Sequence, residues 1–415
     1  MQASDPYDFD RVWPSEGTDS IKWEFISTPK GPVPWDRTSA RHGDARVLPM
    51  WVADMDFAVA PEVAAAIQAR AAHPVFGYAG IGDDYRSVVA NWQRQRNGWE
   101  VDPEWIVPIP GIVPAMNLIV RRFTNPGDGV IVQRPVYHPF SFAVNNNGRD
   151  LRSASLKFED GRYRMDLDAL EREASDPNVK LALLCSPHNP VGRVWSMQEL
   201  ADFARICARN KVLVFADEIH CDLTLPGHKF VPYGTVDVAQ EQPHIVGTAA
   251  SKAFNLAGLK SANLIIFDPA LRTEMQAEIR ATGLLGMNPF GIAGTRAAYQ
   301  HGEPWLDAAL DYIAANVSYL RTFLGAHLPQ IALIEPEGTY LAWMDMRALG
   351  LSQEDLGVML MERARLYLDE GHIFGPEGAG FARINVACPR NTLELALTRL
   401  RAAVESVPTS APPGA

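Results

Sequence analysis

Between residues 180 and 216 the chain runs through an apolar segment, a helix with a marked start and a second apolar segment, and this unit decides the class of fold. Residues 181–185 are all apolar, apart from the thiol of Cys185, as a strand covered on both faces requires. Ser196-Met197-Gln198-Glu199 has the form of a capping box, in which the serine oxygen accepts from a backbone N–H and the glutamate reaches back. The helix then runs to about Asn210, and 212–216 is the next strand. Strand, helix and strand at this spacing make a right-handed crossover and a parallel sheet.

The same alternation extends from about 105 to 267. Apolar runs at 105–109, 129–133, 244–248 and 262–267 join those at 181–185 and 212–216. Upstream, Pro61 suits the first turn of a helix over 61–71, and residues 1–45 read as an irregular polar arm. After about 290 helices dominate, over 291–327, 353–368 and 391–405, with strands at 339–345 and 381–386. We expect an arm over 1–60 packing with a small domain, a large domain over 61–295, the small α+β domain over 296–407, and a frayed tail over 408–415.

Charge and composition exclude several classes. A formal charge of -11, from 38 basic and 49 acidic residues, argues against a general nucleic-acid binder. No apolar run approaches the ~18 residues of a membrane span, and Met1-Gln2-Ala3-Ser4-Asp5 lacks the basic and apolar regions of a secretory leader. Cys185, Cys207, Cys221 and Cys388 form no C-x-x-C pair and keep no His cluster, so neither a metal site nor a disulfide framework is expected. Buried thiols in a reducing cytoplasm are the expectation.

Ligands of open parallel sheets bind at the carboxyl ends of the strands. After 181–185 come Ser186-Pro187-His188-Asn189-Pro190-Val191-Gly192; after 212–216 comes Asp217-Glu218-Ile219-His220; after 244–248 come Ala249-Ala250-Ser251-Lys252. Adjacent strands would bring an amide, a carboxylate and an amine to one rim. Pyridoxal phosphate uses all three. A lysine amine forms a Schiff base with it and later moves a proton. An aspartate beside the pyridine nitrogen keeps that nitrogen protonated, because opposite charge favours the cation. An asparagine amide donates to the phenolate oxygen. Singly, each residue has an ordinary reading: a surface lysine, a helix cap, a turn. Three in order, each just past a strand, do not. Lysine is scarce, at 22, 30, 157, 180, 211, 229, 252 and 260 only, which sharpens the choice of Lys252.

The rest follows by need. A phosphate wants a helix N-terminus, and Pro110-Gly111-Ile112-Val113 opens a helix through Phe123. Lys260 can neutralise the phosphate. Tyr137 follows 129–133 and either stacks on the ring or packs at the rim. Arg383, in an apolar strand, either clamps a substrate carboxylate with two parallel hydrogen bonds or belongs to a structural ion pair.

Together the 186–192, 217–220 and 251–260 motifs resemble fold-type-I pyridoxal-phosphate enzymes, the aspartate aminotransferase superfamily (class I/II). The spacings fit, at 28 residues from Asn189 to Asp217 and 35 from Asp217 to Lys252. Residues 48–57, Phe76-Gly77-Tyr78, 337–343 and 385–390 look like the MalY/PatB-type cystathionine β-lyase branch. The resemblance implies an α/β large domain, with a mainly parallel seven-stranded sheet sandwiched by helices, plus a smaller α+β domain.

It implies Lys252 as the Schiff-base lysine and proton shuttle, Asp217 on the ring nitrogen, Asn189 on the phenolate and Tyr137 on the ring. It implies Ile112 and Val113 amides, Ser251 and Lys260 at the phosphate, Tyr78 at the phosphate of a neighbouring subunit, and His220 beside the cofactor. Arg383, Ala53 and Asn189 would meet the substrate. The implied protein is a cytoplasmic homodimer with shared active sites, acting on a small amino acid without metal. Its implied reaction is α,β-elimination of cystathionine or a cysteine S-conjugate to thiol, pyruvate and ammonia. Transamination, or a specialised biosynthetic reaction, are the alternatives. Ala249 stands where many relatives have a phosphate-binding Ser, His220 where many aminotransferases have Tyr, and the arm over Ser27 to Arg46 is longer than usual.

Overall fold

The capping box forms as its sequence dictates. Ser196 Oγ accepts from Glu199 N, and Glu199 Oε2 accepts from Ser196 N at 2.9 Å, so the helix Met197–Arg209 begins there. In the computed structural model, residues 7–28, 31–35, 46–284 and 286–407 are described. The chain divides into two compact units, one of residues 58–311 with 335–339, the other of 1–57, 312–334 and 340–415.

The first unit holds a seven-stranded sheet. Its strands are β1 (Ile106–Ile109), β2 (Gly129–Val132), β3 (Asp150–Ser153), β4 (Val179–Cys185), β5 (Leu213–Asp217), β6 (His244–Thr248) and β7 (Ala262–Ile265). Their order is β1-β7-β6-β5-β4-β2-β3. Pairing from β6 through β3 is parallel, and β7 alone runs against its neighbours. This is the expected mainly parallel α/β sheet. From β2 the chain steps out to β3, returns to β4 on the other side of β2, and continues through β5 to β6. Strand β3 is the one that hydropathy missed. It is a charged, half-exposed edge strand, so no apolar run announces it.

Helix Ile112–Phe123 buries Ile112, Ala115, Met116, Leu118, Ile119 and Val120 in the core that also holds Val132, Leu183 and Phe215. Apart from Ala115, each such side chain contributes about 1.5–3 kcal/mol by leaving water. The helix comes so close to β6 that a Cβ on Gly247 would lie 3.0 Å from Ile112 Cδ1.

In the second unit β8 (Ala332–Ile334), β9 (Leu341–Asp345), β10 (Asp369–Glu370) and β11 (Phe381–Asn385) form an antiparallel sheet of order β8-β9-β11-β10. Helix Arg390–Glu405 buries Leu393, Leu397 and Leu400. The helix expected over 353–368 is shorter. It runs Gln353–Val358, continues as a π turn over Met359–Arg363, and stops where Arg365 takes φ +52°, outside the helical range. Leu366–Tyr367 then pairs in parallel with Leu48–Pro49. The arm is also more ordered than expected, with a helical turn Ile21–Glu24 capped by Ser20 and a two-residue ladder, Phe25–Ile26 against Val33–Pro34. The tail over 408–415, the leader region 1–6, and positions 29–30 and 36–45 of the long arm lie outside the described residues.

Among the described residues no helix is long and apolar enough to cross a membrane, and no group of three or more His, Cys, Asp or Glu is placed to hold a metal ion. All four cysteines are buried and free.

Candidate active site

Sheet register brings the predicted residues of the first unit together. Asp217 ends β5 and sits opposite Cys185 on β4 and Gly247 on β6. The loop after Cys185 is tied to that strand end, because Ser186 N donates to Asp217 O at 3.0 Å. Two further bonds close the loop on itself, from His188 N to Arg193 O and from Gly192 N to His188 O, both 2.8 Å. Gly192 takes φ +70°, and a Cβ there would stand 3.2 Å from Pro336 Cα, so glycine is required for both reasons. Tyr137 N donates to Asn189 O at 3.0 Å, which fixes the tyrosine beside the asparagine. Lys252 sits half-buried in the short helix Ala250–Ala253 just past β6, near enough for its charge to act on Asp217.

Burial sets the electrostatics. It pushes the Asp217 carboxyl up to about 7, against the opposing pull of the Ile219 N–H, 3.1 Å from Oδ1, and of the Lys252 charge. Glu218 is pushed up as well, first by burial and further by Asp217 and Asp222, although Tyr233 N donates to it at 2.6 Å. Two adjacent acids under this rim thus resist ionisation. Burial also holds His188 down, to about 4. The neutral ring donates from Nε2 to Pro135 O at 2.9 Å, pinning the 186–192 loop to the segment that carries Tyr137.

Helix Ile112–Phe123 presents its N-terminus with Gly111 as N-cap and no side chain capping it. Ile112 is buried and Val113 is exposed. Ser251 is half-buried, Ala249 and His220 are buried, and Thr248 Oγ1 and Ser186 Oγ are buried with no hydrogen-bond partner among the described residues. An uncapped helix start, unsatisfied hydroxyls and a buried carboxylate short of positive charge fit a planar cation bearing a phosphate. Lys260 and Tyr78 are exposed rather than part of this buried set; Tyr78 closes a run with Val75 and Phe76.

The second unit carries Ala53 and Arg383. Arg383 on β11 is buried and forms an ion pair with Asp369, its register partner on β10. Its Nη2 also donates to Trp51 O at 2.8 Å, and the guanidinium lies over the Phe374 ring, 4.9 Å from the centroid. Burial pushes the Asp369 carboxyl up, although Arg383 beside it opposes. The segment after Leu48–Pro49 is held by side chains. Asn385 Nδ2 donates to Val52 O at 2.7 Å and to Asp54 O at 2.5 Å, and Tyr340 donates to Ala53 O at 2.9 Å. Sequence reasoning missed Asp369. The signal was an acid closing the otherwise apolar-rich run Leu366-Tyr367-Leu368-Asp369, where a buried charge needs a partner.

The family model described as "Aminotransferase class I and II" matches residues 46–400, and the chain belongs to that family. Within it, the chain is 40% identical over 372 residues to cystathionine beta-lyase PatB of Bacillus subtilis (strain 168), covering 90% of this chain and 96% of that protein. It is 32% identical over 403 residues to protein MalY of Escherichia coli (strain K12), covering 97% and 100%. Among solved structures it is similar to cystalysin from Treponema denticola, which contains a pyridoxal 5'-phosphate cofactor, with TM-score 0.90 and 34% identity over 96% of this chain and 99% of that one.

Proposed function

We propose that the protein is a pyridoxal-phosphate-dependent carbon–sulfur β-lyase that cleaves cystathionine or a cysteine S-conjugate to thiol, pyruvate and ammonia. The observation that carries this reading is Asp217, a buried carboxylate set by register between the strand leading to Asn189 and the strand leading to Lys252. The similarity to PatB, a cystathionine beta-lyase, supports the choice of reaction.

When bound, pyridoxal phosphate supplies a sink for the electrons left on the substrate's α-carbon. Lys252 would hold the group through its amine, and its Nζ would be the base for the α-proton. Asp217 would serve the ring nitrogen, whose positive charge would favour the ionised carboxylate against the burial that raises it. Asn189 would donate from its amide to the phenolate, His220 would serve the cofactor too, and Tyr137 would stack on the ring. Ile112 and Val113 N–H groups, Ser251 and Lys260 would hold the phosphate. Arg383 would take the substrate carboxylate.

Tyr78 serves the phosphate of a second copy in a homodimer, which the exposed run Val75, Phe76 and Tyr78 supports. Four free thiols fit a reducing compartment, the cytoplasm.

Transamination uses the same residues, and the family description favours it as the second reading. A third is a specialised biosynthetic reaction on a bulkier conjugate. Purified holoenzyme mixed with cystathionine and no keto-acid acceptor separates them. Catalytic release of thiol and pyruvate is expected; turnover only with added keto acid would overturn the lyase.

A further inference from the structure

Lys22, one of eight lysines, is almost wholly buried in the arm, where a lysine needs a reason. Its Nζ lies 2.8 Å from Asp56 Oδ2, 3.7 Å from Asp54 Oδ1 and 3.4 Å from Asp54 O. Trp23 Nε1 donates to Asp56 Oδ1 at 2.9 Å, and Trp51 Nε1 donates to Lys22 O at 3.4 Å. The helical turn Ile21–Glu24 is thereby fastened to the segment that contains Ala53.

That segment is unusual in how it is fixed. The carbonyls of Trp51, Val52, Ala53 and Asp54 are met in turn by Arg383, Asn385, Tyr340, and Asn385 with Lys22. Lys22 is the member supplied by the arm. It is also the cation set against Asp54 and Asp56, two acids that flank Ala53 and Met55. With that cation removed, the two acids would repel any carboxylate arriving at Arg383, whose own Nη2 holds Trp51 O.

We infer that Lys22 is a positioning residue for the substrate carboxylate, fixing the 51–54 backbone and cancelling the charge of Asp54 and Asp56. This rests on the reading of Arg383 as the carboxylate anchor. Steady-state kinetics of the Lys22→Met holoenzyme on cystathionine test it.

The expected result is a KM raised about tenfold with kcat within about twofold, the loss of one charged contact. The rise is expected to be larger at about 10 mM salt than at about 1 M, because screening weakens the repulsion from the partly exposed Asp54. Lys22→Arg restores KM. An unchanged KM, or a fall in kcat alone, overturns the inference. Asp54→Asn, which keeps the Lys22 bond to Asp56, is the second variant, with a lowered KM expected; an unchanged or raised KM overturns the charge balance. Arg383→Gln run in parallel separates the two readings. If its KM does not rise, the anchor reading fails by itself; if it rises while Lys22→Met leaves KM unmoved, only the inference fails.

Discussion

Arg383 and Asp369 face each other across β11 and β10, with side chains only 2% and 9% exposed. Removing either one strands the other's charge in the interior. We expect Arg383→Met and Asp369→Leu each to cost about 3–5 kcal/mol, and the double substitution to cost far less than their sum. Urea unfolding of the four proteins measures the coupling. Simple additivity would show that the pair is not an energetic unit.

Asp217 gives the cofactor-free protein a pH dependence of definite sign. Its folded value, about 7, lies above the ordinary 3.8, so the folded state binds the proton more tightly. The stability from this group is full below about pH 3.8 and is lost as pH rises through about 7. Asp217→Asn should therefore show a flatter Tm profile between about pH 4 and about pH 8 than the parent. Pyridoxal phosphate added to the parent should flatten it too, since the ring cation favours the ionised carboxylate. Parallel profiles for parent and variant would refute this.

His188 has the opposite sign. Its folded value, about 4, lies below the ordinary 6.5, so unfolding takes up a proton. Its contribution is present above about pH 6.5 and is lost as pH falls through about 4. In His188→Asn the drop in Tm from about pH 7 to about pH 4.5 should shrink, and a difference scan of the two proteins measures it.

Gly192→Ala tests the loop that carries Asn189. Alanine at φ +70° costs about 1–2 kcal/mol, and its Cβ meets the Pro336 backbone. Weaker cofactor binding is expected together with a lower Tm, read by absorbance titration with pyridoxal phosphate. A lowered Tm with unchanged cofactor affinity would separate the loop from the site.

The parts of the fold legible in the sequence are those written in local patterns. Ser196 and Glu199 mark a helix start, and Asn189, Asp217 and Lys252 can be found because each follows a strand that apolar runs reveal. Strand β3 was illegible, since a charged edge strand has no apolar period. The break at Arg365 was illegible too, because a left-handed arginine carries no residue-type signature. Lys22 and the segment 51–54 show a deeper limit. Their meaning lies in partners far along the chain, and a contact such as Arg383 to Trp51 O, 332 residues apart, leaves no mark in any window of sequence.

Residues 51–54 are gripped by their carbonyl oxygens, which every amino acid possesses. Position 53 can therefore exchange its side chain while its main chain stays where Tyr340 holds it. If Ala53 meets the substrate, as the resemblance implies, substrate range and backbone placement are separately heritable at that point. A lineage, or an engineer, can reshape the surroundings of the substrate one substitution at a time without first rebuilding the scaffold that presents it.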